Sequence, residues 1–348
     1  NNNKLNRYQN KRKDIKMNFI KSKIPSLIGC VLAYSVSMTA AAEQFKIALG
    51  GNEGSGQYAL STKFVEELEA NTNDTARLFL NSQLGSEQNT VNDAAIGVLD
   101  FSVVAINNIT PFSPSVGVLT LPYMMQSLDD AIKITQGPES ERLVQNTIRD
   151  AGVRIIAWGY SGFRVLSNSK RPVKTLADLK GLVIRVPKNE IMIDTYRSWG
   201  INPTPMAWAS LFTALQQKVV DGQDLAVIDM KSSKFDEVQK YLSNIHYNFL
   251  LEPMIMSESV FQEQSPAVQK AILDAGKVAT QYSAKFLVQE EAKAKAELIR
   301  RGMEWDEVDE TDWIKNAKTK VWPKYYDSVG GKDKINSILR SLNKPEVN

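Results

Sequence analysis

SPAVQKAILDAGKVATQYSAKFLVQEEAKAKAELIRRG, residues 265 to 302, reads as one uninterrupted helix. Ser265 before Pro266 is a start signal: a serine side chain caps free backbone N–H groups, and proline lacks the N–H that would go unpaired there. Val268, Ile272, Ala275, Ala279, Tyr282 and Phe286 recur along one face, and nothing stops the pattern before Gly302. About 36 residues rising 1.5 Å each span roughly 54 Å, longer than one small lobe is wide. The spacing therefore predicts a helix that crosses two lobes and ties them together. A chain of 348 residues has room for both.

Upstream, strand and helix patterns alternate. Phe45 to Leu49, Ala76 to Leu80, Phe101 to Val104, Leu119 to Pro122 and Arg154 to Trp158 read as strands, with helical spacing over Gln57 to Ala70 and Glu87 to Ile96. That alternation implies a parallel-rich α/β sheet. A second unit begins near Gly162, and Thr175-Leu-Ala-Asp178 has the form of a capping box. After it comes GLVIRVP (181–187), where Leu182, Val183, Ile184 and Val186 read as a buried strand interrupted by Arg185. A buried guanidinium needs an anion, either a carboxylate of this chain or one arriving from outside. Arg164, in SGFRVLSN, carries the same ambiguity. AWASLFTALQQK (207–218) reads as a helix buried through Trp208, Leu211, Phe212 and Leu215.

Composition narrows the function. Hydrophobic residues are 43% and charged residues 23%, as in a soluble globular protein. The net charge of +3 misleads, because residues 1–42 hold eight Lys/Arg against Asp14 alone. The remainder has 34 basic and 38 acidic residues, which argues against a nucleic-acid partner. Cys30 and His246 are the single cysteine and histidine, so no thiol metal cluster or internal disulfide can form, and no nucleophile motif adjoins His246. GGNEGSG (50–56), with Glu53 at its centre, lies between a strand and a helix but fits neither G-x-G-x-x-G nor a Walker loop. It reads as a permissive turn at a cleft, with Glu53 a candidate ligand contact.

Residues 1–16 are polar, low in complexity and read as an upstream extension, with Met17 as the start. Residues 17–42 form a signal-peptide pattern: Lys21 and Lys23, an apolar stretch from Ile24 to about Met38, then small residues ending at Ala42. Leu27-Ile28-Gly29-Cys30 is a rival lipobox, disfavoured because apolar residues continue past the cysteine. Either reading places the mature chain in the periplasm.

QLGSEQ (83–88), LPYM (121–124), GFRVLSN (162–168), ADLKGLVIRVP (177–187), NPTPMAW (202–208) and ALQQKVVDGQ (214–223) occur in an order that resembles the substrate-binding subunit of tripartite ATP-independent periplasmic (TRAP) transporters, the DctP-like family. The resemblance covers nearly all of the mature chain. It implies a two-lobed periplasmic binding fold of type II-like form with a long helix spanning both lobes. Residues 43–161 with about 251–289 would form lobe I, and 162–250 with about 290–348 lobe II. The implied function is capture of a small organic acid by cleft closure and delivery to small and large membrane subunits for ion-gradient-driven uptake, with no cofactor, no metal and no catalysis. A ligand-presenting sensor is the alternative use of such a fold.

Residue by residue, the resemblance implies that Arg185 holds the ligand carboxylate. It places Arg164 as a second arginine, Trp208 against the ligand body where the family usually has Phe, and Glu87 as the acidic residue after Q-L-G. The family usually continues V-D-G-Q-E-N-P, whereas this chain reads VDGQDLAV and puts Leu225 where an asparagine belongs. Ala105 and Asn108 also replace residues used by sialic-acid-binding members. The expected ligand is a carboxylate with a less polar body, aromatic or branched, with Arg185 and Arg164 on one lobe and Glu87 or the 50–56 loop on the other.

Overall fold

The long helix forms as its sequence dictates. It runs Pro266–Arg300, 35 residues, and Ser265 Oγ accepts the Val268 N–H at 3.3 Å. Its buried seam is made of small residues: Ala275, Gly276, Ala279, Thr280 and Ser283, flanked by Ile272 and Leu287. Tyr282, expected on this face, is 40% exposed, because at 100° per residue it falls just outside the arc of the buried seam. A Cβ on Gly276 would stand 2.2 Å from the Ile156 carbonyl oxygen. Thr280 Oγ1 accepts the Trp158 N–H at 2.9 Å and Ser283 Oγ the Tyr160 N–H at 3.0 Å. The helix therefore supplies partners to a backbone leaving its sheet. Gly276→Ala is expected to lower stability by about 1–3 kcal/mol through overpacking, read as a drop of several degrees in a circular dichroism melt.

The structure is a computed structural model describing residues 42–348; Cys30 and the expected leader up to Ala41 lie outside the described residues. In chain order the strands are β1 (Gln44–Leu49), β2 (Thr75–Phe79), β3 (Phe101–Val103), β4 (Val153–Ala157), β5 (Tyr160–Phe163), β6 (Val165–Asn168), β7 (Arg185–Val186), β8 (Thr204–Pro205), β9 (Gly222–Leu225), β10 (Tyr241–Asn244), β11 (Phe249–Leu251), β12 (Met254–Ser257) and β13 (Glu304–Glu307). One sheet has the order β2-β1-β3-β12-β4, a second β13-β10-β6-β9. Between them the chain crosses twice, through β5 and β11, which pair antiparallel with each other. The long helix makes a third connection, from the segment after β12 to β13.

These crossings correct the parallel-rich expectation. β1 pairs parallel with β2 and β3, but β12 returns from the second sheet and runs antiparallel to β3 and β4. In the second sheet β6 is antiparallel to both β10 and β9. Leu119 to Pro122 is not a strand: Pro114–Thr120 winds as a 3₁₀ turn, with Leu121 N–H bonded to Val118 O at 3.4 Å. A proline at 122 has no N–H to give a ladder. The expected strand in GLVIRVP shrinks to Arg185–Val186, with one bridge from Ile184 to Gly222. Val183 is 42% exposed rather than buried. Thr175 and Asp178 do form their capping box.

Candidate functional site

Arg185 is 3% exposed and sits on β7, paired with β8 and stopped by Pro187. Its Nε donates to the Met206 carbonyl at 2.9 Å, which fixes the guanidinium plane. The two terminal nitrogens donate to no described residue, and no carboxylate among the described residues forms an ion pair with it. Arg185 borders a cavity lined also by Glu87, Asn107, Arg164, Trp208, Leu225, Asp229 and Glu252. Burial, then the like charge of Arg164, lowers the pKa of Arg185 to about 10. The structure thus sets one buried, uncompensated cation beside an open space.

Arg164 borders the same cavity but differs in its electrostatics. Nη1 meets Asp224 Oδ1 at 2.9 Å and the Asp224 carbonyl at 3.1 Å, Nη2 meets Asn107 Oδ1 at 3.2 Å, and Nε meets Asn248 Oδ1 at 3.2 Å. Burial opposes its charge, but Asp224 and neighbours outweigh burial and raise its pKa. Asp224 Oδ2 in turn accepts the hydroxyls of Tyr196 and Tyr247, each at 2.7 Å. All three guanidinium nitrogens are engaged through four of the five N–H groups, so Arg164 braces the wall and keeps one Nη2 hydrogen for the ligand contact expected of it.

Glu87 opens the helix Glu87–Ala95 behind its cap Ser86. Oε1 accepts Gln57 Nε2 at 2.9 Å, and Oε2 accepts the Ala105 N–H at 3.1 Å and Asn108 Nδ2. Burial raises its pKa against those three donors. Ala105 and Asn108 thus support the glutamate. Leu225 ends β9 on the cavity wall, with Leu250 beside it.

Trp208 starts the 3₁₀ turn Trp208–Ser210, before the helix Leu211–Gln216, and its ring stacks on Phe235 at 5.6 Å and 18°. Its indole N–H donates to the Gly50 carbonyl at 2.9 Å, joining the stretch after β8 to the end of β1. Asn189 Nδ2 to Asn107 O, at 3.1 Å, spans the same gap. These two bonds link the stretches on either side of the cavity. Trp208→Phe keeps the stack and removes the donor, so ligand affinity is expected to fall about 2- to 12-fold by calorimetry.

The 50–56 loop does not cradle an anion. The N–H groups of Gly50 and Gly51 both donate to Gln57 Oε1 at 2.9 Å. Its glycines serve close approach: a Cβ on Gly56 would lie 2.1 Å from Ser161 Oγ, and one on Gly50 2.9 Å from Trp208 Cδ1. Glu53 is exposed and stands outside the cavity wall, near Ser232 and Lys234. Its expected ligand contact has no support here, because the loop turns its glutamate to solvent. His246 accepts a structural role: Nδ1 lies 2.6 Å from Glu310 Oε1.

Sequence reasoning missed Gln57, Asn107, Asp229 and Glu252. Gln57 Nε2 bridges Glu87 and Glu252, both at 2.9 Å. Asp229 and Glu252 are acids inside apolar runs, the signal that singled out Arg185.

With this geometry in place, comparison with known proteins is informative. Residues 50–328 match the family described as bacterial extracellular solute-binding protein, family 7, DctP. A solute-binding protein of Roseobacter denitrificans is 31% identical over 307 residues, 87% of this chain and 94% of that one. Its crystal structure, a TRAP periplasmic solute binding protein with bound L-galactonate, superposes with a TM-score of 0.80 at 29% identity, covering 85% of this chain and 98% of that one. A Polaromonas TRAP protein bound to D-erythronate gives 0.80 at 30%, with 85% and 98% covered. A Bordetella protein with density assigned to pantoate gives 0.81 at 32%, again covering 85% and 98%. The two sheets and the long helix are those of a two-lobed α/β binding fold. The family is periplasmic, and its members are substrate-binding components of transport. The chain belongs to the DctP family of bacterial extracellular solute-binding proteins that serve TRAP transporters.

Proposed function

We propose that the protein captures a small organic acid, carboxylate first, in the cavity beside Arg185 and carries it to the small and large membrane subunits of a TRAP transporter. The unpaired Arg185 guanidinium carries this reading. Its terminal nitrogens form a planar fork that matches a carboxylate in a bidentate pair. The acids bound by the Polaromonas and Roseobacter relatives are of that class. No bond of the ligand is broken, and the transport relatives favour delivery to a transporter over presentation to a sensor.

Arg185 alone does not supply the affinity. A hydrogen-bonded charge contributes about 1.5–3 kcal/mol, whereas micromolar binding needs about 8 kcal/mol. The remainder comes from enclosing the ligand body between Trp208, Leu225, Leu250 and Pro187. Closure helps only if the ligand prefers the closed state, so it must touch both sides of the gap. In this reading lobe I holds Glu87 and Asn107 with the first sheet, and lobe II holds Arg185, Trp208 and Leu225 with the second; β5, β11 and the long helix form the hinge. Leu225 favours an acid with an apolar segment at that point.

A thermal-shift screen against organic and sugar acids tests the assignment. A true ligand at a hundredfold excess over its dissociation constant stabilises the fold by about 2.7 kcal/mol. Failure of every carboxylate to raise the melting temperature, with a neutral solute succeeding, would reject it.

A further inference from the structure

Three carboxyl groups share the cavity with one uncompensated cation. Glu87, Asp229 and Glu252 all line it, and all three are at least nine-tenths buried. Arg164 is salt-bridged to Asp224, so its charge offsets theirs only in part. Arg185 would be neutralised by the ligand's own carboxylate, a step that rests on the function proposed above. After that step no cation among the described cavity residues remains free for a second ligand carboxylate, which would enter among three buried acids.

Two buried atoms on the same wall lack partners. Asp229 accepts the Gly56 N–H at 3.1 Å through Oδ1, and its buried Oδ2 has no donor of its own, because the nearby Ser161 hydroxyl gives its one proton to Glu252. Asn107 is 1% exposed and its Nδ2 donates to nothing described. Buried polar atoms left unpaired are costly and rare in native proteins. Their needs are complementary: Asn107 requires a ligand oxygen, and Asp229 requires a ligand donor. Glu252 forms no hydrogen bond with Asp229: its two oxygens accept from Gln57 and Ser161. Burial, then the neighbouring acids, push Asp229 up to about 6 against the field of Arg164, and push Glu252 well above the usual carboxylate range.

We propose that the cleft selects monocarboxylates carrying a hydrogen-bond donor, and rejects dicarboxylates, with Asp229 as the residue that discriminates. The donor is a hydroxyl or an ammonium group; Asp229 Oδ2 accepts from either. Leu225 and Leu250 face the segment between the ligand's two ends.

One carbon skeleton with three different ends tests this. D-erythronate, 4-amino-2,3-dihydroxybutanoate of the same configuration, and meso-tartrate differ only at C4, which carries a hydroxyl, an ammonium group or a carboxylate. Calorimetry on the full protein is expected to favour the better of the first two over meso-tartrate by at least about 100-fold, and the stronger of them identifies the donor. Asp229→Asn should narrow that preference at least tenfold; Glu252→Gln should narrow it in the same direction and stands in if the first variant fails to fold. Equal binding of meso-tartrate by the unaltered protein, or a preference untouched by both variants, overturns the proposal. So does an absence of binding by all three acids. Arg185→Met separates the layers: if it leaves D-erythronate affinity unchanged, the carboxylate reading beneath the proposal is the part that fails.

Discussion

Arg185→Met is expected to yield a protein that is more stable when empty and nearly unable to hold its ligand. Removing one partner of a desolvated charge pair costs about 2–5 kcal/mol of binding, so affinity should fall between roughly 30-fold and several thousandfold. The gain in empty-state stability follows from the direction of the pKa. The pKa of Arg185 is lowered to about 10 in the folded protein. A base with a depressed folded pKa destabilises the fold at every pH below the folded value, and the penalty fades as pH rises toward the unfolded one. The penalty at neutral pH is on the order of 3 kcal/mol. Methionine fills similar volume without the charge, so the melting temperature of the empty variant should rise by several degrees. Chemical denaturation and calorimetry on the same preparation read both effects. A variant that is less stable yet binds as before would make Arg185 a structural residue.

Arg164→Met should do the reverse. Its removal strands Asp224 in the interior with two tyrosine hydroxyls and no cation, and breaking a buried pair costs about 3–5 kcal/mol. For a chain of this size that is a fall of about 10 °C in melting temperature. Binding by the molecules that remain folded should weaken far less than in Arg185→Met. The opposite signs of the two stability changes, in arginines that line one cavity, would distinguish the empty cation from the paired one.

The long helix was legible because its signals are local: a Ser-Pro start, a repeating face and no breaker for 35 residues. Periodicity marks which positions recur, while the approach of Ile156 and Trp158 keeps positions 276 and 280 small and centres the seam on them, which leaves Tyr282 at its edge. Arg185 was legible as a charge inside an apolar run. Whether an arginine is paired is a different matter, since the partner lies far away in the chain. Asp224 is 60 positions from Arg164, and nothing in GFRVLSN points to it. The same rule that found Arg185 also fits Val227-Ile228-Asp229-Met230 and Leu250-Leu251-Glu252-Pro253, so both acids could have been found. The strand directions were not legible, because β12 joins the first sheet only after an excursion of about a hundred residues through the second.

The most direct test is a crystal structure of the protein with whichever acid raises its melting temperature most. The expected result is a ligand carboxylate with both oxygens about 2.7–2.9 Å from the terminal nitrogens of Arg185. A ligand whose carboxylate lies elsewhere, with Arg185 turned onto Glu87 or another acid of the chain, would contradict it.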